Sequence, residues 1–202
     1  LSVRRRRTLD AASPRKKLYF VGGVDEPTAG VVRRAVALAE QIAHPPTMAH
    51  ALHFGLLCHQ LRRDDATVRA SGEHSAELAA EQGLAHYETT ATSRRWVLAN
   101  QGRAQSSLAE LRRGLDRCLN LGMRVLEPYY KALLSESHLS AGEVPAGLEL
   151  LEEARRFAEE SGVRFWDAQL LRLKGKLLVR IGRSKPQEVE ARYRDSLTVA
   201  RG

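Results

Sequence analysis

Aromatic residues are scarce in this chain: four Phe, two Trp and five Tyr make up 5% of 202 residues. Strand formers are thin, while Ala, Leu, Glu, Gln and Arg are plentiful, which disfavours a β-sandwich or barrel and points to an all-α fold. Cysteine is rarer still. Cys58 and Cys118 show no framework spacing, so a disulfide scaffold is excluded and a reducing, cytoplasmic setting is expected. No apolar run approaches the roughly 18 residues of a membrane helix, so no membrane partner is expected. The stretch after the N-terminal arginines reaches only from Leu18 to Val21 before Gly22, too short for a secretory signal core. What is present is 43% hydrophobic residues, enough for a continuous core in a chain of this length.

The motifs of common chemistries are also missing. There is no P-loop, and Lys174, Gly175 and Lys176 fall inside a predicted helix, where they cannot cradle phosphate. His50, His53 and His59 share one predicted helix, and the first two fall on one face at i, i+3. A zinc site wants three or four ligands, however, and neither a Cys nor a carboxylate stands at ligand spacing beside them. These histidines read as packing or groove-lining groups. Cys58 and Cys118 lack a paired base in sequence and read as small buried residues. Glu149, Glu152, Glu153, Glu159 and Glu160, near Arg155 and Arg156, read as a solvated, ion-paired helix face. Neither a catalytic group, nor a metal, nor a cofactor is expected.

The formal net charge is +8, and its distribution is uneven. Arg4, Arg5, Arg6, Arg7, Arg15, Lys16 and Lys17 against Asp10 place +6 of it in residues 1–17. Such an arm binds nucleic acid or anionic lipid by counterion release, or is simply a solvated, disordered end. Nucleic acid therefore stays open as an alternative partner. The start at Leu1, without a methionine, leads straight into what reads as the tail of a helix and suggests a piece of a longer protein.

Self-similarity organises the rest. Gly83, Gly102, Gly122, Gly142, Gly162, Gly182 and Gly202 form a ladder with a step of 20 residues after a first step of 19. Stepping backward reaches Arg63 beside Asp64, Ala43 beside His44, and Gly23. Between rungs, apolar positions recur three and four apart, as in Leu148, Leu151, Ala154, Phe157 and Ala158. Glycine is enriched just past helix C-termini because it adopts the left-handed conformation without a Cβ penalty. Each rung is thus a predicted helix stop, and the unit is two helices in about 40 residues. The bulky first helices are predicted over 47–62, 86–101, 125–141 and 165–181, and the Ala- and Glu-rich second helices over 66–82, 104–121, 145–161 and 188–201. A half pair over 18–43 precedes pairs over 44–83, 84–122, 123–162 and 163–202, with a helix closing at Leu18 to Val21 and the next over 27–42. Pro27, Pro45, Pro46 and Pro145 suit helix starts, Pro128 a first turn, and Pro186 a lengthened loop.

The segment from Tyr130 to Ala154 resembles a tetratricopeptide repeat. Leu134 stands at the family's first-helix leucine with small Ser135 after it, Gly142 ends the helix, and Gly147, Leu151 and Ala154 take the small, large and small positions of the second. Ser107, Leu111 and Gly114 repeat that pattern, and Gly175 fills the small first-helix position. Arg94 and Arg95 depart from it. The resemblance implies a right-handed superhelical stack of antiparallel helix pairs that binds protein and catalyses nothing. A narrower resemblance rests on LLCHQLRRD (56–64), AEQG (80–83), PYYKALLSESHLSAG (128–142) and RFWDAQLLRLKGKLL (164–178). These are similar to the repeat region that follows the ATPase module in large bacterial signalling proteins, some of which begin with a nucleotide cyclase or a transcription-regulator domain. That implies a regulatory segment whose partner is a protein, a peptide or another domain of its parent chain.

In the resembled family the groove is lined by first-helix side chains. The positions carried over are His50, His53 and Gln60; Thr89, Thr92, Trp96 and Asn100; Tyr129, Ala132 and Glu136; and Gln169, Arg172, Lys176 and Arg180. The last three basic residues, at i, i+4 and i+8, form one stripe suited to an acidic peptide or a carboxylate terminus.

Overall fold

The computed structural model describes residues 26–84, 87, 91–182 and 186–201. The basic arm, the expected helix end at Leu18 to Val21, the Gly23 and Gly202 rungs and Thr89 lie outside the described residues.

Every twentieth residue reverses the chain. The helices between reversals are α1 (Glu26–Ile42), α2 (Pro45–Leu61), α3 (Asp65–Glu81), α4 (Ala91–Leu98), α5 (Ala104–Asn120), α6 (Glu127–Ser140), α7 (Val144–Ser161), α8 (Asp167–Ile181) and α9 (Pro186–Arg201). Among the described residues there is no strand. The fold is all-α, and each helix packs on the next; α4 also meets α6, and α6 meets α8.

Four of the reversals share one hydrogen-bond pattern. At Gly142 the backbone N–H bonds to the Leu139 carbonyl (3.1 Å), and the next N–H, of Glu143, bonds to the His138 carbonyl (2.9 Å). The same pair of bonds closes the turns at Gly122 and Gly83. This is the Schellman arrangement, which requires a left-handed residue to satisfy the orphan carbonyls of a helix end. Gly142 has φ +82°, and the other described glycine rungs are likewise positive. Ala43 (φ 53°) and Arg63 (φ 61°) hold the same conformation with a side chain attached. Arg63 makes the two Schellman bonds to Gln60 and, through Asp64, to His59. Asp64 then caps α3 by accepting from the Thr67 N–H at 3.2 Å.

Helix starts follow the prolines. Pro45, Pro128 and Pro145 lie in the first two positions of α2, α6 and α7. Proline's missing N–H costs nothing there, since that donor has no intrahelical partner. The same rule corrects two expectations. Pro186 opens α9 and so does not belong to a loop. The helix expected over 125–141 divides into a 3₁₀ turn, Arg124–Leu126, and α6. The helix expected over 86–101 is described as α4 followed by a wide π-type turn, Ala99–Arg103, which breaks at Gln101 and Gly102.

The core runs without interruption from Leu56 to Leu177, with Trp96, Tyr130, Leu111, Leu134 and Leu173 among its fully buried members. Small residues set the helix spacing. A Cβ added at Gly147 would stand 3.0 Å from the Ser135 carbonyl oxygen, so α6 and α7 touch backbone to backbone at that point. The Ser135 hydroxyl donates to the Gly147 carbonyl at 2.8 Å. Gly114 sits closer still to the Thr92 side chain, and Gly175 lies against the Tyr193 ring.

A side chain in the left-handed region costs about 1 kcal/mol relative to glycine. Ala43→Gly should therefore raise stability by about that amount in urea denaturation followed by circular dichroism, and Gly142→Ala should lower it by at least as much. An Ala43→Gly midpoint below that of the parent chain would refute the assignment of strain to this rung.

Candidate functional site

A repeat of 40 residues carries equivalent first-helix positions into register, and one such row is Trp96 on α4, Glu136 on α6 and Lys176 on α8. The three side chains meet. Glu136 is 4% exposed. Its Oε2 accepts from Trp96 Nε1 at 3.1 Å, and its Oε1 accepts from Lys176 Nζ at 3.1 Å. Arg63 reaches in from the turn after α2 and donates twice, from Nη1 to Oε2 at 3.0 Å and from Nη2 to Oε1 at 2.6 Å. The guanidinium lies 5.0 Å from the Trp96 ring centroid, in cation–π contact.

Burial alone would push the Glu136 carboxyl up. The two Arg63 hydrogen bonds, the Arg63 charge and the Lys176 ammonium outweigh that and hold it below the usual carboxylate range. One carboxylate offers about four acceptor positions, and four donors fill them. The left-handed backbone at Arg63 is thus tied to a specific contact: the residue that stands where later rungs carry glycine supplies the bidentate grip.

A second row at the same spacing comprises Asn100 and Ser140, where the Ser140 hydroxyl donates to Asn100 Oδ1 at 3.2 Å. Arg180 continues this row and is exposed, beside Ser140, Val179 and Tyr193 around a shallow depression. Tyr129 is buried and packs on Trp166, with ring centroids 4.9 Å apart. Beside the Glu136 network is a cleft of about 250 Å³ lined by Gln60, Arg63, Trp96, Tyr129, Gln169 and Arg172 together with Leu61, Ala132 and Leu133. Side chains from four helices and one turn therefore converge on it. Arg172 is half-buried at its wall and donates from Nε to Gln169 Oε1 at 3.0 Å.

The expected basic stripe is divided by these contacts. Lys176 is engaged by Glu136, Arg172 faces the cleft, and Arg180 is open to solvent. His50 and His53 lie apart from the network. His50 is exposed on α2, its Nδ1 3.0 Å from the Tyr87 hydroxyl, while buried His53 stands edge-on to Phe54 and Tyr87. His50 borders a separate apolar cleft of about 500 Å³ between α1 and α2, with Val31, Leu38, Ile42 and Phe54. Thr92 and Ala132 are buried. Arg63 was missed as a site residue, although a charged side chain at a rung that otherwise takes glycine is a signal readable from sequence.

Among the described residues no group of three or more His, Cys, Asp or Glu side chains is placed to hold a metal ion. Cys58 and Cys118 are buried, and burial raises both thiols; Cys118, which also faces the Glu127 charge, is pushed up to about 12. Neither is a thiolate at neutral pH. Glu152 pairs with Arg155 on an exposed face and also with Lys174 across the helix interface.

No family model matches the chain, and neither does any curated protein or solved structure.

Glu136→Gln leaves Arg63 and Lys176 without their anion. Breaking a buried pair costs about 3 to 5 kcal/mol, but these two cations keep 38% and 40% of their side-chain surface in water, so about 2 kcal/mol is expected. The folded carboxyl titrates below the unfolded one. The unfolded chain therefore takes up the proton first, and the stabilisation present at neutral pH is lost as pH falls through and below about 4.5. Urea midpoints of the two chains should differ at pH 7 and converge toward pH 3. A gap that stays constant with pH would show that Glu136 acts through packing alone.

Proposed function

We propose that this chain is a tetratricopeptide-like interaction module, a right-handed superhelical stack of helix pairs whose concave side, lined by first helices, holds a protein or peptide segment. The observation that carries this reading is the convergence of Trp96, Glu136 and Lys176. Residues 40 apart come together when successive pairs stack with their first helices on one side, and that arrangement builds a continuous face. The cleft between Gln60 and Arg172 opens on the same side. The close helix approach at Ser135 and Gly147 further supports the repeat reading, because small residues there allow the pairs to nest.

On this reading the segment is a regulatory part of a larger bacterial signalling ATPase or cyclase, and it turns over no substrate itself. Its partner is another protein, a peptide or a domain of the same parent. The second reading, nucleic-acid association through the basic arm, draws on the +6 charge of residues 1–17.

The module is tested by affinity capture with the intact chain and with Arg172→Gln, Arg180→Gln, which alters the face while leaving Lys176 on Glu136. A defined partner retained by the first and lost by the second, with no ATP hydrolysis by the purified chain, is the expected result. Turnover of ATP, or identical retention by both chains, would sink the proposal. A salt-sensitive shift of labelled DNA that disappears on removal of residues 1–17 would favour the second reading instead.

A further inference from the structure

The cleft beside Glu136 is electrostatically one-sided. Arg63 and Arg172 both line it, no acidic residue does among the described residues, and Lys176 pairs with the adjacent Glu136. The acceptor positions of Glu136 are taken by Arg63, Lys176 and Trp96. Three cations against one saturated anion leave an excess of two positive charges. Among the described residues no carboxylate lies within ion-pair distance of Arg172, and the partner that fixes it, Gln169, is neutral. Burial and the nearby Arg63 charge both press the Arg172 guanidinium toward its neutral form, with Glu136 opposing them only in part. Holding two guanidinium groups at one half-buried cleft is unfavourable in the empty state, and an incoming anion removes that cost.

Size narrows the ligand. Pockets for drug-sized molecules or whole cofactors span roughly 300 to 1,000 Å³. About 250 Å³ admits one compact group instead. A planar guanidinium whose Nη atoms make no hydrogen bond among the described residues matches an oxyanion by a two-point fork, while the Gln60 and Gln169 amides and the Trp96 and Tyr129 rings shape the walls.

We propose that Arg172, with Arg63 opposite, forms an oxyanion-binding site in this cleft, taking a carboxylate or phosphate group presented by a ligand. The inference deepens the interaction-module reading and rests on it only for what carries the anion. The binding of the bare group is independent of any partner.

The test uses the full chain with Trp166→Phe, which leaves Trp96 at the cleft wall as the single indole. Its fluorescence is titrated at fixed ionic strength with sodium phosphate, with a penta-glutamate peptide and with the penta-glutamine peptide as control. Saturable change with phosphate or with penta-glutamate supports the site; phosphate alone assigns it to free phosphate, and the peptide to a carboxylate-bearing segment. Arg172→Gln should weaken that binding at least tenfold, Arg172→Lys should retain part of it, and Arg155→Gln, on the exposed ion-paired face of α7, should leave it unchanged. Because Arg172→Gln also removes like-charge repulsion, its thermal midpoint without anion should equal or exceed that of the parent, which separates lost binding from lost folding. No saturation with either anion, or equal loss in Arg172→Gln and Arg155→Gln, overturns the site. Anion binding that survives while partner capture fails would reject the interaction reading alone.

Discussion

The contact on which the fold turns is a carboxylate, 4% exposed, satisfied by four donors from three other parts of the chain. An isolated charge at the Glu136 position would cost several kcal/mol, so the fold is admissible only when Arg63, Trp96 and Lys176 are all delivered to it. These donors come from the turn after α2, from α4 and from α8. Hydrophobic contact between neighbouring helices is tolerant of small slips, whereas a bidentate guanidinium at 2.6 and 3.0 Å is not. The network therefore ties together the relative placement of four helices that are distant in sequence. It does so at the cost of a left-handed arginine, which the Schellman bonds of that turn help to hold in place.

Much of the fold was legible because the reversals obey a purely local rule. A helix end needs a left-handed residue, glycine supplies it most cheaply, and the step of 20 residues then locates each stop without reference to packing. The rule extended to Ala43 and Arg63, where the register alone pointed to a turn and the backbone adopts it despite the side chain. Helix starts were less legible. Proline marks a start to within a turn only, and at Pro186 a longer loop between Gly182 and α9 seemed as reasonable from sequence as a helix opening on the proline itself.

The candidate site was legible as a row and illegible as an environment. A 40-residue step selects Trp96, Glu136 and Lys176 as equivalent, but equivalence does not say whether a row faces solvent or the next helix pair. His53, Gln60, Thr92, Trp96, Tyr129, Ala132 and Glu136 are all at most 5% exposed, so seven of the fourteen residues expected to line the groove are buried. The reason is physical. First helices here carry large side chains, and where Trp96, Tyr129 and Trp166 are buried, polar neighbours are enclosed with them. Arg63 escaped notice for the complementary reason: it lies in a turn, and rows drawn along helices pass it by.

Enclosure also explains why the cleft and the network differ in character although they share Arg63. At Glu136 opposite charges are matched and four bonds fill the carboxylate, an arrangement that stabilises and leaves Arg63 to contribute chiefly its charge at the cleft. At Arg172 a cation of the same face is held by a neutral side chain and has a like-charged neighbour whose repulsion Glu136 offsets only in part, an arrangement suited to receiving an anion. Residues that lower stability without an internal gain mark the places where structure is held ready for something outside it. On the proposed reading, that criterion narrows the binding surface from the row of equivalent positions to the wall of the cleft that carries Arg172.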